Sequence, residues 1–130
     1  MLNHIGLFFS ARVKLGGGST ANEGYVMAQG TNGTWGGVCD SGWDIYNAHV
    51  VCQELFGTLA EDSYDYYNTL LAYNEVEYGF EEPETKGVFI LDHVSCTGFE
   101  TSIFNCNHSG EWNANDCAPA MIAGVKCKSS

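Results

Sequence analysis

Six cysteines, Cys39, Cys52, Cys96, Cys106, Cys117 and Cys127, fall within a chain of 130 residues. An even number in so short a chain points to three disulfides and an oxidising compartment. Zinc is the rival use of cysteine, but no two of these are close enough for the C-x₂₋₄-C knuckle of structural zinc sites. Counting alone leaves fifteen ways to pair six cysteines. The length has room for one domain, and 45% hydrophobic with 13% aromatic residues is enough to build its core, which excludes wholesale disorder. A domain this small gains much of its stability from such staples.

Charge narrows the partners. Sixteen acids against five bases give a net charge of -11. A nucleic-acid binder must neutralise phosphates with Lys and Arg, and anionic membranes make the same demand. Neither fits. Cationic surfaces, neutral glycans and metal ions do. No stretch approaches the ~20 apolar residues of a membrane span, so direct membrane insertion is not expected. Residues 1–11 carry a short apolar run, Ile5 to Phe9, with no basic residue before it. They read as a tail, either the remnant of a truncated signal or an appended sequence. The cysteines thus carry the localisation: secreted, or the extracellular part of a membrane receptor.

Along residues 12–128 the pattern predicts one domain. Val13 to Leu15 is a strand, and Asn32-Gly33 a tight turn between strands at Gly24 to Gln29 and Thr34 to Cys39. Asp44 caps a helix running to about Phe56, with Ile45, Ala48, Val51, Cys52 and Leu55 on one stripe and Gly57 at its left-handed exit. Gly87 to Leu91 suits a buried strand, Glu100 to Cys106 a helical turn, and Ala123 to Cys127 a closing strand. The window 61–86 differs in character. It holds 8 of the 16 acids and 5 of the 7 tyrosines, with no cysteine. Too long for an ordinary connection and too acidic to pack fully, it reads as a surface insertion.

Gly33-Thr-Trp-Gly-Gly-Val-Cys-Asp-Ser-Gly-Trp-Asp44, followed by Ala48-His-Val-Val-Cys-Gln-Glu-Leu55, resembles the scavenger receptor cysteine-rich (SRCR) domain. That family's signature is G-x-W-G-x-V-C-D-D-G-W-D and then V-V-C-x-x-L-G. The likeness continues through Leu91-Asp-His-Val-Ser-Cys-Thr-Gly-Phe-Glu100, Cys106, Trp112, Cys117 and Ala123-Gly-Val-Lys-Cys127. The resemblance implies an α+β, disulfide-rich fold in which a curved antiparallel β-sheet cradles one main α-helix. Its six-cysteine branch implies the pairs Cys39–Cys117, Cys52–Cys127 and Cys96–Cys106. By chain entropy the two long-range bridges contribute roughly 4 kcal/mol each and the short one nearer 3.

SRCR domains often bind calcium, and the resemblance directs attention to two sites. At the first, Asp40 is present, but Ser41 replaces a second Asp and Met121 stands where the family has Glu. Calcium takes six to eight oxygens and a thioether offers none, so this site is expected to be lost. At the second, Asp92 is kept, His93 replaces its neighbour, and Asp116 stands where Asn is usual. Asp92 and Asp116 are therefore the expected calcium ligands, in preference to Asp40. The plainer reading is that Asp92 caps a turn and Asp116 is solvated. No catalytic motif is found, His49 and His108 read as surface residues, and all cysteines are committed, so no enzyme is expected. Sequons at Asn32 and Asn107 should lie on the surface and carry glycans in a eukaryotic host. Tyr64, Tyr66 and Tyr67 among Asp62 and Asp65, with Tyr78 nearby, form the candidate ligand surface, because tyrosine supplies rigid amphipathic contact area. These acid-flanked tyrosines are also candidates for sulfation. The expected function is extracellular recognition of a protein or glycan, favouring cationic partners. The alternative is a spacer domain of a larger receptor or secreted protein.

Overall fold

The computed structural model describes residues 12–17, 20–64, 88–112, 117 and 121–129. Its elements are β1 (Val13–Gly16), β2 (Glu23–Gln29), β3 (Trp35–Val38), α1 (Ile45–Phe56), β4 (Ala60–Tyr64), β5 (Phe89–Leu91) and β6 (Gly124–Cys127), with a 3₁₀ turn at Ile103–Asn105. The strands form one curled sheet in the order β4-β6-β2-β3-β5, and β1 pairs with the other side of β2. One pairing departs from the expected antiparallel sheet. β5 runs parallel to β3, with Gly37 opposite Phe89 and Val38 opposite Leu91. The sheet is mixed.

The hairpin of β2 and β3 turns through Asn32-Gly33 as its sequence requires. The Gly30 amide donates to the Thr34 carbonyl at 2.9 Å, and the Gly33 amide to the Gly30 carbonyl at 2.9 Å. Burial along β2 does not alternate with solvent, because both faces are covered. Val26 and Ala28 face the main core with Val38, Val51, Leu55, Ile90 and Ile103. Tyr25 and Met27 face a second cluster with Phe89 and Ile122. The Gly36-Gly37 pair of β3 follows from this crowding. A Cβ on Gly37 would meet Ile122 at 2.7 Å, and one on Gly36 would meet the Val88 carbonyl at 2.8 Å.

α1 begins and ends where its caps dictate. The Asp44 carboxylate accepts from the amides of Tyr46 (3.0 Å) and Asn47 (3.1 Å). Gly57 takes φ 73°, and its amide closes on the Gln53 carbonyl at 3.0 Å. Ala48, Val51, Cys52 and Leu55 are buried as expected, and Val50 and Asn47 join them. Asn47 is a polar residue at a core position, and its amide group is fully used. Its Nδ2 donates to the Val94 carbonyl at 2.9 Å, and its Oδ1 accepts from the Cys96 amide at 2.9 Å. The helix is thus fastened to the chain that opens the Cys96–Cys106 loop. Trp43 is similarly anchored, its indole donating to the Gly124 carbonyl at 3.0 Å.

Two sequence expectations change here. The acidic window does not leave the fold at residue 61, since Glu61, Asp62, Ser63 and Tyr64 belong to β4, which pairs antiparallel with β6. An edge strand needs only one paired side, so its acids remain in solvent. His49, expected on the surface, is half-buried, and its Nδ1 accepts from the Ala60 amide at 3.0 Å. It joins the helix to the start of β4.

Replacing Asn47 with Ala leaves the buried Val94 carbonyl and the part-buried Cys96 amide without their partner. The expected loss is about 3 kcal/mol, against about 1 kcal/mol for Asp44→Ala, which removes only the helix cap. Urea unfolding with the disulfides intact measures both, and equal losses would contradict the fastening role of Asn47.

Candidate functional site

The three bridges are Cys39–Cys117, Cys52–Cys127 and Cys96–Cys106, the pairs that the resemblance implied. They divide the work. Cys52–Cys127 lies in the main core, between the helix and the last strand. Cys39–Cys117 staples the far face of the sheet beside Ile122. Cys96–Cys106 spans only ten residues and closes a surface loop.

That loop is held from within. The Glu100 carboxylate accepts from the amides of Thr97 (2.9 Å) and Gly98 (3.1 Å) and from the Thr97 hydroxyl (3.0 Å). The Thr97 amide bond, foremost among these contacts, holds the Glu100 carboxyl below its usual pKa, so it is charged at neutral pH. Gly98, at φ 104°, brings the loop against Tyr46. At its tip Phe99 is 91% exposed, and Tyr46 beside it is 54% exposed. Between loop and helix lies a depression of about 240 Å³ lined by Gln53, Glu54, Phe99, Glu100 and Thr101. Sequence reasoning placed no site here. Phe99 and Glu100 fell within the quoted family motif, but nothing in periodicity marks a loop-tip aromatic as exposed.

The calcium candidates separate. Asp92 is 4% exposed and Asp40 8% exposed. The Asp92 Oδ1 accepts from the His93 amide at 2.7 Å, and its Oδ2 lies 3.2 Å from His93 Nδ1. This turn takes His93 to φ 55°. Asp92 therefore does make a turn, with its own neighbour as partner. Asp116 lies outside the described residues. Among the described residues no group of three or more His, Cys, Asp and Glu side chains includes Asp92. Cys96, Glu100 and Cys106 lie close enough together to suggest a metal group, but both sulfurs are bridged and are not ligands.

Asp62 is exposed on β4, and its Oδ1 accepts from the Ser63 amide at 2.9 Å. Tyr64 ends the same strand. Asp65, Tyr66, Tyr67 and Tyr78 lie outside the described residues. Asn32 and Asn107 are both exposed. Asn32 sits on the hairpin turn, its Oδ1 accepting from the Thr34 amide at 3.0 Å. His108, expected at the surface, is half-buried and accepts from the Gly110 amide at 2.9 Å through Nδ1.

A clamp holds the same hairpin. Glu111 Oε1 accepts from the Thr31 amide at 2.9 Å, while Oε2 pairs with Arg12 at 2.7 Å. Arg12 also lies over the Phe104 ring at 3.7 Å and donates to the Gln29 carbonyl at 3.0 Å.

The fold and its bridges define a disulfide-stapled module of the extracellular kind, with its distinctive chemistry on the surface. The scavenger receptor cysteine-rich domain profile matches residues 16–128, and the chain belongs to that family. SRCR domains are non-catalytic modules. The chain is 36% identical over 115 residues to galectin-3-binding protein of Rattus norvegicus, covering 88% of this chain and 17% of that protein. It is 37% identical over 118 residues to lysyl oxidase homolog 3 of Homo sapiens, covering 90% of this chain and 14% of that protein. The third SRCR domain of murine neurotrypsin superposes with a TM-score of 0.66 at 28% identity, covering 91% of this chain and 96% of that domain. The chain thus spans less than a fifth of either full-length relative. Among the described residues no helix is long and apolar enough to cross a membrane.

The hairpin clamp should respond to acid. Bonding from the Thr31 amide, then from Arg12, lowers the Glu111 pKa from its ordinary 4.5. A depressed carboxyl pKa contributes stability that is present above the ordinary value and lost as pH falls through the folded one. Hydrogen exchange at Thr31, corrected for its intrinsic pH dependence, should lose protection as pH drops below 4.5. In Glu111→Gln that acid-induced step should vanish. Its persistence would place the titration elsewhere.

Proposed function

We propose that this SRCR module recognises basic surfaces of extracellular proteins. The carrying observation is the charge balance together with where the bases go. Sixteen acids face five Lys and Arg residues. Of the four bases that are described, Arg12 pairs with Glu111, Lys126 lies 3.6 Å from Glu61, Lys14 lies over Trp35, and Lys128 is exposed. Three of these four are already engaged within the chain, which leaves little cationic surface to offer a polyanion. The 61–86 window adds seven net negative charges, eight acids against Lys86. A field of this sign speeds the approach of a cationic partner and weakens steeply with salt. Galectin-3-binding protein is named for a protein ligand, and this reading assigns a protein ligand to the present chain as well.

A spacer role is the second reading, favoured by the small share of its relatives that the chain spans. A binding panel separates the two. Polylysine and histones should bind at low salt and weaken markedly at physiological salt, while heparin and dextran sulfate do not bind. Binding of heparin without polylysine would overturn the charge argument, and silence across the panel would favour the spacer.

Calcium at Asp92 and Asp116 is a separable proposal. Calorimetric titration should show heat that Asp92→Ala removes and Asp40→Ala retains. Equal loss in both would reject the choice of site.

A further inference from the structure

Phe99 requires an explanation that stability does not supply. A phenylalanine 91% exposed gains almost nothing from burial, and the loop beneath it is already fixed by Cys96–Cys106 and by Glu100. An aromatic ring displayed on a rigid loop is the usual anchor of a protein interface, because little conformational entropy remains to be lost on binding. Tyr46 extends the apolar surface, and Glu54 and Glu100 border the depression beside the ring.

The chain itself shows which partner such an arrangement holds. In Arg12–Phe104–Glu111 a guanidinium lies 3.7 Å over a phenylalanine ring while pairing with a carboxylate at 2.7 Å. Phe99 and Glu54 line one depression and bring the same two components together, an exposed ring and a half-buried carboxylate, as Glu111 is beside Phe104. Arginine suits them better than lysine, since a planar guanidinium stacks on a ring and pairs in its plane at once. A second copy of this chain does not fit, because its single arginine is Arg12, already engaged.

We propose that the depression between α1 and the Cys96–Cys106 loop is a docking site for an arginine side chain of a partner protein, stacked on Phe99 and paired with Glu54. This rests on the cationic-partner reading and adds a site and a preference for arginine over lysine. Glu100 is left unaltered in the test because it holds the loop.

Nona-arginine and nona-lysine peptides, titrated at constant salt, serve as probes. Nona-arginine should bind more tightly and shift the amide resonances of residues 53–54 and 98–101. Phe99→Ala, which removes an exposed ring, should weaken nona-arginine about tenfold and abolish the preference over lysine. Glu54→Gln should weaken nona-arginine in the same direction. Replacing the acids of residues 61–86 with their amides should weaken both peptides alike. Equal binding of the two peptides, indifference of nona-arginine to Phe99→Ala, or shifts mapping elsewhere would overturn the docking site and leave the charge reading standing. If neither peptide binds, both fall. A peptide-free dimer that Phe99→Ala dissociates would give the surface to a second copy instead.

Discussion

The fold depends on one closure, the bridge from Cys52 in the middle of the helix to Cys127 at the end of the last strand. Both residues are fully buried, and 75 positions separate them. β4, β5 and the Cys96–Cys106 loop are therefore all enclosed by a single covalent ring. The bridge also fixes which face of the helix meets the sheet, because Cys52 lies on the same stripe as Ala48, Val51 and Leu55. On the strand side, Cys127 pairs in register with Ala60, the residue whose amide is accepted by His49. Helix, edge strand and last strand thus meet around one disulfide. Constraint of the unfolded chain and burial of the core act on the same contact.

A second fastening is polar. Asn47 accepts from the Cys96 amide and donates to Val94, so the surface loop is tied to the helix by hydrogen bonds inside the protein. A buried amide is tolerated only when its capacity is used, and here both ends of the side chain are. The consequence is mechanical. The loop that carries Phe99 inherits the position of α1, whose start is set by Asp44 and whose end is set by Gly57. Local capping chemistry thereby determines where an exposed aromatic is presented.

How far these features could be read from sequence follows the range of each interaction. The helix, the Asn32-Gly33 hairpin and the 3₁₀ turn were legible because caps, turn residues and periodicity act over a few positions. The three bridges came from family resemblance and not from spacing. The parallel pairing of β3 with β5 was not legible, since a three-residue apolar run does not specify its neighbour. β4 was hidden because Glu61 and Asp62 look like solvated chain, and an edge strand asks nothing of its outer side. Asn47 was hidden for the opposite reason: a polar residue inside a buried stripe shows its worth only when its partners, 47 and 49 positions away, are in place. Of the candidate site, Asp92 proved to be paired with His93, while most of the tyrosine cluster falls outside the described residues.

The exposed loop tip and the acid excess are easier to understand together than apart. Surface charge of one sign keeps a small domain soluble but opposes compaction, and three bridges offset that cost. Once the frame is held covalently, residues on a pinned loop are released from any duty to the core. Phe99 illustrates the release: Glu100 satisfies the loop amides, Gly98 provides the left-handed turn, and the ring between them is left to solvent. A large apolar side chain in that position is a cost to solubility that neither the loop nor the core requires, and a contact with another molecule is the physical circumstance in which it becomes favourable.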